Sequence, residues 1–267
     1  FMDKRRVLPV IGGFNFRDIG GYTSFDGRKI KWGKAFRTAG MADLSPEDLK
    51  YLEDRQVDTI IDFRTEAEVA KGPDRVPAHA VDINIPAMDF DRTESTVDYA
   101  QLSKEYDQKG YGYLNMINNY EHLISDEYSN IAYRKFFDLL MTENKTLAYH
   151  CTAGKDRTGV ASMLLMSALG INEAQIKHDY LITDRLSTEV VRNKIEHMKA
   201  EGATPDEIEN IHSMWSVNID YIQRSIDTVK RLSGDPITYL QNYLQLQPAD
   251  IQLLRDKYLF SEPTGKQ

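Results

Sequence analysis

The spacing of apolar and polar residues divides the chain into an alternating α/β part, a polar interlude and a helical part. Ser45-Pro46-Glu47-Asp48 starts a helix, with serine as N-cap, proline in the first turn and acids at the positive dipole end. Leu44, Leu49 and Leu52 supply its apolar positions. Val57 to Phe63 is a β-branched run that predicts a strand, and Ala80 to Ile85 alternates before Pro86 stops it. With a short helix over Thr65 to Lys71 between them, the two strands make a β-α-β unit. Thr146 to Tyr149 predicts a third strand that runs directly into His150 and Cys151. The helix beginning near Thr158 is apolar almost all round, which marks it as buried.

The interlude differs in kind. From Ala87 to Tyr113 six acids (Asp89, Asp91, Glu94, Asp98, Glu105, Asp107) face only Arg92, Lys104 and Lys109, with tyrosines among them. We read a lid-like insertion over about 87–125, the alternative being a solvated helix pair on the surface. From about 158 to 260 the pattern is helical throughout. Asn172 caps a segment ending near Ile182, and Leu186, Val190, Val191, Ile195 and Met198 carry the next. Trp215, Ile219, Ile222, Ile226 and Val229 then recur at helical spacing up to Gly234. The expectation is a single domain over 1–267, an α/β fold with a short, mostly parallel central sheet flanked by helices and a helical C-terminal portion.

At 267 residues and 41% hydrophobic, such a domain buries a core without staples. The single cysteine, Cys151, excludes an internal disulfide and a Cys-rich zinc site, and fits a reducing, cytoplasmic setting, with secretion left open. A net charge of −8 argues against nucleic-acid binding, so any anion site must be local. The longest apolar run, Val160 to Ile171, contains Ser162 and Ser167 and falls well short of the ~20 residues a membrane span requires. No stable membrane insertion is expected. The stretch from Phe1 to Phe14 is broken by Pro9, Gly12 and Gly13, and no small-residue cleavage site follows. The six histidines show no H-x3-H or H-E-x-x-H pairing, so neither a catalytic metal nor another cofactor is expected.

Chemistry concentrates in His150-Cys151-Thr152-Ala153-Gly154-Lys155-Asp156-Arg157-Thr158-Gly159. A cysteine and an arginine with five residues between them, placed between a strand and a helix, form a loop whose N–H groups of Thr152, Ala153, Gly154 and Lys155 through to Arg157 can converge on an anion. The helix dipole and the Arg157 fork favour a phosphate in the same hollow. Thiols in such fields become thiolates near neutral pH, which makes Cys151 a nucleophile for phosphorus. Gly154 supplies the turn, His150 fixes the loop by hydrogen bonding, and Thr158 donates to the thiolate or caps the helix. Lys155 adds charge toward the phosphate or a neighbouring one, or stands solvated at the rim. Arg64, at a strand end, is a weaker candidate for substrate contact, and Asn15-Phe16-Arg17-Asp18 for packing under the loop.

The loop carries the C-x5-R-[ST] signature of cysteine-dependent phosphatases. With Lys155-Asp156 inside it, the chain resembles the bacterial tyrosine phosphatase family active on phosphoproteins and phosphoinositides. Asn15 to Tyr22, Phe36-Arg37-Thr38, Ile61-Asp62-Phe63-Arg64 and His178-Asp179-Tyr180-Leu181 look like that family's other landmarks in the same order. The resemblance implies a protein-tyrosine-phosphatase-like fold, a phosphocysteine intermediate, no metal, and relaxed, dual specificity. An acid just before the loop arginine is also similar to myotubularin-type lipid phosphatases. No Trp-Pro-Asp stands upstream, so the general acid falls to Asp156, preferred for its place in the loop, or to Asp89, which opens the polar insertion. The expected function is a phosphoester hydrolase, foremost a protein tyrosine phosphatase. Its partners would be a phosphorylated protein or phosphoinositide, with phosphate or another oxyanion occupying the site. The alternatives are a phosphoinositide phosphatase or a phosphate-binding module without turnover.

Overall fold

A computed structural model describes residues 2–142 and 144–263; Phe1, the first residue of the N-terminal stretch considered above, lies outside them. The β-branched run forms β3 (Val57–Asp62), and the run into Cys151 forms β5 (Thr146–His150). With β1 (Arg17–Asp18), β2 (Ala35–Thr38) and β4 (Val81–Asn84) they make a sheet in the order β1-β2-β5-β3-β4. Only β1 runs antiparallel to its neighbour; the other pairings are parallel. His150 is in register with Thr38 on one side and Asp62 on the other, so the three central strands end at one level. Loops leaving that edge build a ligand site in open parallel sheets.

Helices cover both faces. On one, α1 (Pro46–Asp54), capped by Ser45 in a reciprocal capping box with Asp48, closes a small core of Phe16, Phe36, Leu44, Leu52 and Ile60. On the other, α4 (Glu127–Thr142) and α5 (Arg157–Ala168) bury Phe136, Tyr149, Val160 and Leu164 in the main core. The remaining helices are α2 (Glu66–Lys71), α3 (Tyr111–Ser125), α6 (Glu173–Ala200), α7 (Pro205–Trp215), α8 (Ile219–Ser233), α9 (Pro236–Leu244) and α10 (Pro248–Tyr258).

Three elements differ from the sequence reading. The insertion is free of α-helix only to about residue 110: Met116, Tyr120, Leu123 and Ile124 share one face of α3, which packs into the main core. The two helical segments expected between Asn172 and Met198 are one helix, α6. No glycine or proline interrupts it, and Thr183, between the two expected segments, is buried where its hydroxyl accepts from Asn15 and Arg17. The alternating strand β4 is a solvent-facing edge, with Val81 59% exposed.

Candidate active site

The loop between β5 and α5 is anchored from outside through its carbonyls. Gly154 sits at φ +67°, and a Cβ there would lie 2.4 Å from the Thr38 carbonyl oxygen, so only glycine fits. Asn15 Nδ2 donates to the carbonyls of Ala153 (3.1 Å) and Gly154 (3.0 Å), and Arg37 donates to Gly154 (2.8 Å). Arg37 is itself held by Asp179 at 2.8 Å, which also accepts from Tyr22 and pairs with Arg17 at 3.5 Å. Burial opposes charge on Asp179, but Arg17 and Arg37 outweigh it and hold the carboxyl at about 2. Arg17 pairs with Asp179 rather than its sequence neighbour Asp18, which accepts from the amides of Gly20 and Gly33.

Cys151 heads this loop, 2% exposed, and Arg157 closes it, fully buried in the first turn of α5. Glu68 of α2 receives both terminal nitrogens of Arg157, at 2.6 and 2.9 Å, and accepts from the Thr152 hydroxyl at 2.7 Å. Burial works against the Glu68 carboxylate, but its bonds to Arg157 hold it down at about 2. Arg157 Nε is buried with no hydrogen-bond partner, and so is the Thr158 hydroxyl inside the same turn. Thr158 is therefore not the cap of α5; Asp156 occupies that position.

The acids separate sharply. Asp89, the expected alternative donor, is an exposed carboxylate paired with Arg92 at 2.7 Å. Two residues on, Asp91 is folded inward by bonds from the Thr93 amide (2.9 Å) and the Ser95 amide (3.0 Å), and lies 3.6 Å from Arg157. Burial pushes Asp91 above the usual carboxylate range, with Arg157 opposing and Glu68 reinforcing. Asp156 turns away into a buried tyrosine cluster, accepting from Tyr120 at 2.5 Å, with the Tyr120 and Tyr180 hydroxyls 2.8 Å apart. Lys155 is not at the rim. Its ammonium donates to the carbonyls of Met214 (2.7 Å) and Ser216 (2.9 Å) and lies 3.5 Å from Asp156, with burial lowering its pKa.

Behind the loop, His150 Nδ1 lies 2.7 Å from the Cys151 carbonyl and Nε2 lies 2.5 Å from Asp74. Burial disfavours its charge, yet Asp62 and Asp74 push it up to about 9, so it is a cation at neutral pH. Asp62, Asp74 and His150 could geometrically surround a metal, but Arg64 already pairs with both carboxylates and a protonated imidazole has no lone pair to offer. Arg64, proposed from sequence as a substrate contact, is thereby committed to this network, with a further bond to the Gly72 carbonyl.

A family model described as the tyrosine phosphatase family matches residues 8–260. The chain belongs to that family. It is 26% identical over 263 residues to a Cupriavidus necator protein that carries the name of a tyrosine-protein phosphatase, across 92% of this chain and 85% of that one. It is 26% identical over 194 residues to the triple specificity protein phosphatase PtpB of Mycobacterium tuberculosis, across 66% of this chain and 68% of that one. A tyrosine-protein phosphatase of Nostoc commune is 28% identical over 147 residues, 55% of this chain and 47% of the relative. The protein is accordingly a cysteine-dependent phosphatase of the protein-tyrosine-phosphatase type.

Two residues of this phosphatase's site escape sequence reasoning. Glu68 carries a local signal, since Thr65-x-x-Glu68 is a capping box whose glutamate receives the Thr65 amide. That role explains the residue fully, however, and conceals its grip on Arg157. Asp91 has no such signal, because only the turn through Thr93 and Ser95 decides which insertion carboxylate points inward.

Proposed function

We propose that Cys151 and Arg157 carry out phosphomonoester hydrolysis on phosphorylated protein with Asp91 as the acid. The observation that supports it most is the state of Arg157. Glu68 receives a bond from each terminal nitrogen, leaving Nε as a buried, unpartnered donor. A guanidinium has five N–H groups, so a phosphoryl oxygen pair can be received without breaking the Glu68 contact.

In the first step the Cys151 thiolate attacks phosphorus in line, the P–O bond breaks, and the leaving oxygen takes the proton of Asp91. In the second, water gives a proton to the Asp91 carboxylate and attacks phosphorus; the S–P bond breaks, regenerating thiolate and releasing phosphate. The cradle amides and Arg157 hold the equatorial oxygens through both. Burial supports the first step by keeping Asp91 protonated above the usual aspartate range. The Thr158 hydroxyl, buried and unpartnered, suits donation to the departing thiolate. Asp156, bound by Tyr120 and near Lys155, acts as a loop anchor. A nucleophile that must remain reduced suits the cytoplasm. Aryl phosphate turnover lost in Cys151→Ser, with phosphate binding retained, is the expected test result. Turnover surviving that change rejects the proposal.

A further inference from the structure

The turn that carries Asp91 is hung from two asparagines of α3. The Asp91 carboxylate accepts from the Thr93 and Ser95 amides, which makes 91–95 a tight turn. That turn is tied to α3 at the Arg92 carbonyl, which accepts from Asn119 Nδ2 at 2.8 Å and from Asn115 Nδ2 at 3.0 Å. A carbonyl oxygen has two lone pairs, and two side-chain amides one helical turn apart take both. The Arg92 guanidinium is engaged with Asp89, so what α3 holds is the backbone next to Asp91. Asn119 is 2% exposed, at a depth where an amide without a partner would be costly. The next residue along α3, Tyr120, donates to Asp156 of the phosphate loop. Adjacent residues of one helix thus hold the acid turn and the cradle.

We propose that Asn119, assisted by Asn115, is a positioning residue that sets Asp91 against Arg157, with α3 as the common mount. The inference rests on the reading of Asp91 as the acid. Charge alone does not fix that carboxyl. Asp91 lies 3.6 Å from Arg157, too far for a hydrogen bond, and both terminal nitrogens of Arg157 already donate to Glu68. In the first step Asp91 must also be protonated, and a neutral carboxyl loses its attraction to the guanidinium. A tie made to the neighbouring carbonyl is indifferent to that proton. It holds the turn in the same place when Asp91 gives a proton and when it takes one back.

The test uses Asn115→Leu, Asn119→Leu and the pair, in which a side chain of similar size cannot donate. Single-turnover release of phenol from phenyl phosphate, a poor leaving group, should slow roughly tenfold in Asn119→Leu, less in Asn115→Leu, and by ~10²-fold in the pair, the loss that a displacement of about 1 Å can cause. Release of nitrophenolate, which departs without a proton, should change little. In an Asp91→Asn background the same substitutions should add nothing to the loss of phenol release, because the group they position is gone. Inactivation by iodoacetate, and its protection by inorganic phosphate, should match the parent and so report an intact thiol, cradle and fold. Asn115 is only partly buried, so Asn115→Leu tests the same tie if Asn119→Leu does not fold. Parental phenol release in the folded variants, an equal loss on both esters, or a further loss in the Asp91→Asn background would overturn the inference. Asp91→Asn alone showing no selective loss of phenol release would instead reject the acid reading beneath it, before any asparagine is changed.

Discussion

Glu68 grips Arg157 through two hydrogen bonds of 2.6 and 2.9 Å, from a helix separate from the phosphate loop. The same carboxylate receives the Thr152 hydroxyl, so one residue fixes both ends of the cradle. Breaking a buried ion pair by removing one partner typically costs ~3–5 kcal/mol, because a desolvated charge is stranded. Glu68→Ala should therefore lower the melting temperature and reduce kcat/KM for aryl phosphate by at least tenfold. Glu68→Gln, which preserves one acceptor oxygen, should recover part of both. Stability and activity unchanged in Glu68→Ala would remove Glu68 from the site.

The acid assignment has a leaving-group signature. In single-turnover measurements Asp91→Asn should slow release of the leaving alcohol or phenol from alkyl phosphates and phosphotyrosine by ~10²–10⁴-fold while sparing release of nitrophenolate from an activated ester, since a good leaving group departs without a proton. It should also abolish the alkaline limb of the kcat profile, which burial of Asp91 places above the range of an ordinary aspartate. Asp89→Asn, on an exposed carboxylate, should change neither. Selective loss in Asp156→Asn instead would move the acid into the loop.

Two groups give stability opposite pH slopes. His150 titrates near 9 when folded against about 6.5 unfolded, so its contribution is complete below pH 6.5 and is lost as pH rises through 9. Glu68, held at about 2 against about 4.5 unfolded, contributes fully above pH 4.5 and fades as pH falls toward 2. Melting temperatures should thus decline on both flanks, and Asp74→Asn, which removes a negative charge hydrogen-bonded to His150, should flatten the alkaline one. An unaltered alkaline slope in that variant would contradict the His150 assignment.

The proposed mechanism puts thiol and anion in one site. Iodoacetate should inactivate the enzyme rapidly at neutral pH, and phosphate or vanadate should slow it in proportion to occupancy. Alkylation indifferent to either anion would place the reactive thiol outside the cradle.

The place of the loop was legible because five residues between Cys151 and Arg157, preceded by a strand and followed by a helix apolar almost all round, restrict the backbone to few shapes. The sheet followed from the same logic, since β-branched runs such as Val57 to Phe63 have few alternatives. Side-chain destinations did not. Lys155 and Asp156 are adjacent to Arg157 in sequence, but α3, α7 and α8 close over their side of the loop and supply Tyr120, the Met214 carbonyl and Tyr221 as partners. Asp89 and Asp91 look alike in a polar run, and a turn two residues long decides between them. Such choices are made by tertiary packing, which local periodicity does not encode.

The most direct test of the account is to trap its covalent intermediate. Asp91→Asn, which lacks the base for the second step, should accumulate phosphoenzyme from an activated aryl phosphate. Acid quench and peptide mass spectrometry should find one phosphoryl group on Cys151, absent in Cys151→Ser. Turnover of the activated ester by the Asp91 variant with no adduct on Cys151, or with the phosphoryl group on another residue, would contradict the mechanism.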